Sequence, residues 1–325
     1  MATKKTQPKS PRGATKKTAS KKKRSTSSAR RGKNQYLFEQ LSRPDTRVYC
    51  GDCRDVLPTI PEVRKSSVDL IFADPPFNWK RKYDEWHDAM PEQEYLDFTY
   101  AWLDLCVDAL APHGALWVNI PDDWAAEIVV HLKRNRGMDM VNWCIWHYRF
   151  GQNTRGRFIN SKVHVLYFMK DRGHPDRRWN EDQITEPSDR ATTYFDQRTF
   201  NKKEGEHGLR VPMDVWYGKY FGRIQGNNKE RRHQHDNQIP EVYLERVIRA
   251  CSNEGDMVMD PFLGSGTTGV VARELNRRSI GVEFSRENAK RCVQRITDGP
   301  VRVTRGEPTR HANPIFAPRA RRAAE

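Results

Sequence analysis

The sequence predicts an α/β protein organised on a doubly wound, mostly parallel sheet. Three observations carry that expectation. Short apolar runs of strand type alternate with segments of helical spacing. Four of the runs lead to an acid: Asp52, Asp74, Asp260 and Glu283. A glycine-rich turn, Gly264 to Gly269, joins one run to a helix. In open sheets of this kind ligands bind beyond the carboxyl ends of strands, so these acids mark a working edge.

The chain has 325 residues, 36% of them hydrophobic and 30% charged. That is enough to bury one full core with attached segments. No apolar run approaches the roughly 18 residues a membrane span needs, so no membrane partner is expected. Six cysteines at irregular spacing make no disulfide framework and point to a reducing, cytoplasmic compartment. The net charge of +15 is unevenly placed. Residues 1–34 hold 13 Lys/Arg and no acid, and residues 301–325 hold 6 Lys/Arg against 2 acids, so the body is nearly neutral. The first tail is expected to be disordered and to attract nucleic acid by counterion release; a solubilising tail is the plain alternative.

Taken in order, Arg47–Cys50 reads as a strand ending at Gly51-Asp52. Cys50 and Cys53 form a C-x-x-C, but no second pair accompanies it, and no metal site is expected. The run Val68–Ala73 is a strand that delivers Asp74 to the sheet edge. Pro75 and Pro76 cannot continue a ladder, and they fix the directions of the Asp74 and Pro75 carbonyls. Phe77 adds a flat face beside them. An acceptor, an aimed carbonyl and an aromatic plane suit a planar ring carrying an NH2 group. A strand ending in a proline turn, with Asp74 as a cap, fits these four residues equally well.

Residues 78–90 read as a mobile loop near the site. Glu92–Leu110 repeats apolar residues at helical spacing until Pro112-His113-Gly114 stops it. A strand at Ala115–Ile120, a helix at Asp122–Lys133 and strands at Met140–Tyr148 and Lys162–Met169 follow. Residues 35–170 thus form one half of the body. Residues 171–236 break the pattern: Trp179, Tyr194, Phe195, Phe200, Trp216, Tyr217, Tyr220 and Phe221 lie among Arg and Lys. That mixture suits phosphate contact and base stacking, although packing of a small subdomain accounts for some of it. The second half, residues 237–300, holds an amphipathic helix at Pro240–Cys251, a strand at Asp256–Met259, the glycine turn, a helix at Val270–Leu275 and a strand at Ser279–Glu283.

Gly264, Gly266 and Gly269 match G-x-G-x-x-G, and Glu283 stands where the dinucleotide fingerprint places a ribose-binding acid. An NAD-dependent oxidoreductase fits that pattern, whereas a DNA-binding protein without catalysis would explain the tails but not this turn together with Asp74-Pro75-Pro76-Phe77. Asp260-Pro261-Phe262 ahead of the glycines favours a cationic ligand over a pyrophosphate. Together with Asp74-Pro75-Pro76-Phe77, this turn resembles the S-adenosylmethionine-dependent DNA amino-methyltransferases. The order, catalytic motif first and cofactor motif second, resembles their circularly permuted β class.

The resemblance spans roughly Arg47 to Ile296. It implies a class I methyltransferase-like fold with an inserted target-recognition segment, and methylation of the exocyclic N6 of a flipped-out adenine. N4 of cytosine is the alternative. It implies Asp74, Pro75, Pro76 and Phe77 as the catalytic set. For S-adenosylmethionine it implies Asp260, Pro261, Phe262, Gly264, Ser265, Gly266 and Thr267 around the methionine part, Glu283 on the ribose and Asp52 on the adenine amino group. Double-stranded DNA, a homodimer, a companion restriction enzyme and a nucleoid-associated location are implied as well. The chain departs from the family at His233–Pro240, where His-Pro-x-Gln-Lys-Pro is common, and at Phe77, where Tyr is commoner.

Overall fold

The computed structural model describes residues 34–81, 85–148, 154–187, 209–218, 221–224, 228, 230–232 and 237–301. The basic tails, residues 82–84 and the aromatics Tyr194, Phe195, Phe200 and Tyr220 lie outside the described residues.

The chain runs β1 (Leu37–Leu41), β2 (Thr46–Cys50), α1 (Cys53–Val56), α2 (Pro61–Arg64), β3 (Val68–Ala73), α3 (Glu92–Ala109), β4 (Leu110–Ile120) and α4 (Asp122–Val130). It continues with β5 (Asp139–His147), β6 (Lys162–Met169), β7 (Glu186–Pro187), β8 (Leu209–Arg210), β9 (Val215–Trp216) and α5 (Glu241–Cys251). The last elements are β10 (Met257–Asp260), α6 (Thr267–Glu274), β11 (Arg278–Glu283) and α7 (Arg286–Asp298). Nine strands form one sheet in the order β1-β2-β11-β10-β3-β4-β6-β5-β9. The stretch from β2 to β4 is parallel throughout. Only β1 and β6 run against it, while β9 lies parallel to β5 at the far edge.

The winding reverses between β10 and β3. From β10 the chain moves outward through α6 to β11; from β3 it moves the other way through α3 to β4. Such a switch point leaves a crevice at the carboxyl ends of the two middle strands. Those ends carry Asp260 and Asp74. Both strands are apolar because helices cover both faces, and Val68, Leu70, Ile71, Met257, Val258 and Met259 are wholly buried.

Two boundaries differ from the sequence expectation. α3 gives way at once to β4, and Pro112-His113-Gly114 lie inside that strand instead of separating it from the helix. Val68 pairs with Leu110 and Leu70 with Ala115, so residues 111–114 form a bulge. Gly114 is required there, because a Cβ would lie 2.9–3.0 Å from Leu110 Cδ2, the Ala111 carbonyl and the Val68 carbonyl. α4 ends at Val130 and passes into a π-helical turn at His131–Asn135. α5 is also not simply amphipathic. Glu241, Glu245 and Arg246 are buried along with its apolar face, and the Arg246 guanidinium lies over the rings of Phe221 (4.4 Å) and Trp216 (5.3 Å). Those two aromatics, read from sequence as base-stacking candidates, are core residues here. Trp179 and Tyr217 stay partly exposed.

Trp102 of α3 is fully buried and meets Phe262, beside the glycine turn, edge-on at 5.0 Å. Trp102→Ala should lower unfolding stability in urea by about 3–5 kcal/mol. A change under about 1 kcal/mol would show that α3 does not anchor the cavity floor.

Candidate active site

Both strand ends open into one cavity. Asp74, Pro75, Pro76 and Phe77 line it from β3. Asp260, Pro261, Phe262, Gly264, Ser265 and Thr267 line it from β10, and Glu283 and Asp52 from the neighbouring strand ends. The structure therefore gathers almost every residue singled out in the sequence; Gly266 stands just behind the wall. Five carboxyl groups face this space, Asp52, Asp74, Glu85, Asp260 and Glu283, and no Lys or Arg lines it among the described residues.

The Asp-Pro-Pro-Phe turn is held from three helices. Tyr95 of α3 donates its hydroxyl to the Pro76 carbonyl at 2.7 Å. Trp124 of α4 donates its indole N–H to the Phe77 carbonyl at 2.9 Å. Among the described residues, the Pro75 carbonyl takes no hydrogen bond, and Pro75 lines the cavity. Asn119, at the end of β4, donates its amide to Asp74 Oδ1 at 2.6 Å. The Tyr243 hydroxyl of α5 donates to Asn119 Oδ1 at 3.2 Å, which fixes which way that amide points. Burial pushes the Asp74 carboxyl up to about 7; the Asn119 bond opposes the rise, and the charge of Asp260 adds to it.

The segment after Phe77 is not the loose loop expected from sequence. Asp88 is buried, and its carboxylate accepts backbone N–H groups from Asn78, Trp79 and Arg81 at 2.9–3.0 Å. Asn78 is tied in both directions to Met90. Next to Asp88, Trp86 packs on Phe98 and Phe284 and walls the cavity.

On the cofactor side the acids are committed to shaping the turn. Asp260 accepts from the Phe262 N–H at 2.9 Å and the Thr268 hydroxyl at 2.6 Å. Burial still pushes it up to about 6. Glu283 accepts from the Gly264 and Ser285 N–H groups, and burial pushes it up to about 7. Gly264 and Gly266 have φ of 51° and 79°, where a side chain is strained. Gly269 serves packing instead: a Cβ there would lie 2.6 Å from Ile296 of α7. Asp52 caps α1 and is gripped by Arg54 at 2.7–3.2 Å. Burial would raise its carboxyl, but Arg54 holds it below its usual value. Cys50 and Cys53 are free thiols, and no cluster suited to a metal occurs among the described residues.

A cavity with five acids and no base disfavours a pyrophosphate and suits a cation. The likeness to known proteins agrees. The DNA methylase family model of N6 and N4 methyltransferases matches residues 68–294, from β3 into α7. The chain belongs to the DNA methylase family. Type II methyltransferase M.HpaI of Haemophilus parainfluenzae is 32% identical over 245 residues, covering 75% of this chain and 73% of that protein. The DNA adenine methyltransferase YhdJ of Escherichia coli (strain K12) is 28% identical over 248 residues, covering 74% and 80%. The cytosine-N4-specific PvuII DNA methyltransferase shares the fold at a TM-score of 0.59 and 16% identity, over 86% of this chain and 95% of that one. A Thermus thermophilus protein solved in complex with S-adenosyl-L-methionine shares it at 0.51 and 24%, over 77% and 94%. This DNA methylase is an S-adenosylmethionine-dependent amino-methyltransferase with the class I methyltransferase fold.

Sequence reading missed Asn119, Tyr243, Tyr95, Trp124 and Arg295. A visible sign existed for Arg295. It shares the buried face of α7 with Ala289, Cys292 and Ile296, where a charge needs a partner. Its guanidinium donates to the Ser265 carbonyl and the Thr267 hydroxyl at 2.8–2.9 Å and pairs with buried Glu241 at 3.2 Å. Arg295→Met leaves Glu241 buried and unpaired, so about 3–5 kcal/mol of stability should be lost. Adding Glu241→Gln should restore part of it, and titration with S-adenosylmethionine should show weaker binding in both variants. Unchanged cofactor affinity would separate Arg295 from the turn it touches.

Proposed function

We propose that this DNA methylase methylates the exocyclic amine of a base flipped out of the duplex, with Asp74 and the Pro75 carbonyl accepting the two amine N–H bonds. The observation that supports this is a carbonyl without a hydrogen bond among the described residues next to a carboxylate, on two residues that line one cavity. Such an amine is a poor nucleophile because its lone pair is delocalised into the ring. Two acceptors held in fixed directions favour a pyramidal nitrogen and free that pair. They strengthen as positive charge develops on the nitrogen, which lowers the barrier. Asp74 Oδ2, not engaged by Asn119, is then placed to take the proton the nitrogen must lose. Phe77 stacks on the base, which cannot be reached inside a helix.

The cofactor, when bound, supplies a methyl group on a positively charged sulfur. The acid-lined cavity fits that charge. Asp260 and the Phe262–Gly266 backbone hold its methionine part, and Glu283 the ribose. Asp52 would serve the adenine amine through whatever acceptor capacity Arg54 leaves it.

The base is adenine or cytosine. Adenine N6 is favoured by Asp74 itself, since the cytosine enzymes this chain resembles more often carry Ser there, and by the name of the E. coli relative. Cytosine N4 is favoured by the PvuII likeness, which extends over more of both chains. A companion restriction enzyme, a homodimer and a nucleoid-associated location rest on the resemblance alone.

Incubation with labelled S-adenosylmethionine and DNA, followed by digestion to nucleosides, distinguishes N6-methyladenine from N4-methylcytosine; transfer to neither overturns the reading. Asp74→Ala should bind the cofactor nearly as wild type and lose methyl transfer by at least about a hundredfold. Wild-type turnover in that variant would remove Asp74 from the chemistry.

A further inference from the structure

The connection between β5 and β6 leaves the sheet at the edge that carries Asp74 and Asp260. The register fixes this, because Ile120 at the carboxyl end of β4 pairs with His164, and His147 with Lys162. The Tyr148 N–H donates to the Ser161 carbonyl at 2.9 Å and closes the base of the arm. Its described part, residues 154–161, is a turn held by a bond from the Thr154 hydroxyl to the Arg157 carbonyl at 3.0 Å, with Gly156 at a φ of 80°. Phe158 on this turn is 96% exposed and Ile159 45%. Arg155 and Arg157 are exposed on either side of Gly156. From 149 to 162 the sequence has four basic residues, Arg149, Arg155, Arg157 and Lys162, and no acid.

We propose that this arm is a wedge for duplex DNA: Arg155 and Arg157 grip backbone phosphates beside the target, and Phe158 enters the stack where the target base leaves it. A single exposed apolar side chain is ordinary on its own. Directly after Arg155 and Arg157, on the edge where the base must arrive, it is matched to a polyanion with an apolar interior. Flipping leaves a gap and loses the stacking of the target base. An apolar side chain filling that gap recovers part of the loss, as inserted wedges do in other bent or opened duplexes. By contrast, β6 ends at the opposite edge of the sheet. The chain that follows is tied there, Asn180 bonding the Arg249 and Ser252 carbonyls at the end of α5. The arm, and not residues 171–187, therefore leaves the sheet at the edge on which the cavity opens. The proposal rests on the base-flipping reading above.

The test uses the full chain and a short duplex carrying the sequence that the wild-type enzyme methylates in plasmid DNA, identified by sequencing. A second duplex places an abasic site opposite the target base, which is then already unstacked. Phe158→Ala should methylate the paired duplex about tenfold or more slowly in a single turnover, and the abasic-opposed duplex at the wild-type rate. Arg155→Gln with Arg157→Gln should flatten the dependence of log affinity on log salt by about two. Unchanged S-adenosylmethionine affinity reports that the variants are folded. Equal rates for wild type and Phe158→Ala on the paired duplex, equal slowing on both duplexes, or an unchanged salt slope would overturn the wedge. If the wild-type chain methylates neither duplex nor plasmid, the base-flipping reading falls, and the wedge with it.

Discussion

Two carboxyl groups at adjacent strand ends, Asp74 and Asp260, face one cavity with no basic residue between them. Both groups are largely removed from solvent, so each charge raises the free energy of the other, and burial holds Asp74, Asp260 and Glu283 at about 6 to 7. A cation bound in the same space relieves that repulsion. Cofactor binding and the charge on Asp74 are then linked, each favouring the other. The cavity is thus preorganised for a positively charged ligand, and the cost of keeping it so is met by the scaffold.

That scaffold is a set of contacts reaching inward from the helices. Tyr95 and Trp124 fix the Pro76 and Phe77 carbonyls of the proline turn. Asn119 and Tyr243 hold one oxygen of Asp74, while Arg295 fastens the glycine turn to Glu241. None of these groups need touch a ligand to matter. Their effect is to keep acceptors within a few tenths of an ångström of one geometry, which is where electrostatic preorganisation gains its leverage.

The parts of the fold legible in the sequence were those with a local signal. β3 and β10 are short apolar runs ending on Asp, and the prolines and glycines after them admit few backbone conformations. Long-range partnerships left no such mark. Asn119 lies 45 residues from Asp74 and 124 from Tyr243, so only the closed sheet brings them together. The segment 78–90 looked loose because its organiser, Asp88, is one acid in a polar stretch, and backbone amides cannot be read from side chains. Trp216 and Phe221 were ambiguous for another reason: aromatic and basic residues together serve base stacking and the packing of a buried Arg246 alike. The turn at 154–161 carries no signal in the sequence, because a Phe following two arginines has meaning only once its edge of the sheet is known.

The most direct measurement of the central claim is the pH dependence of methyl transfer in wild type and Asn119→Leu at cofactor well below saturation, where the profile reports the cofactor-free protein. Asp74 must be ionised to accept and finally remove the amine proton, so the rate should fall as pH drops through about 7. The Asn119 bond favours the ionised form. Its loss should move the midpoint upward, with the rates converging at high pH. A wild-type profile flat between pH 6 and 8, or a midpoint that Asn119→Leu leaves in place, would contradict the account.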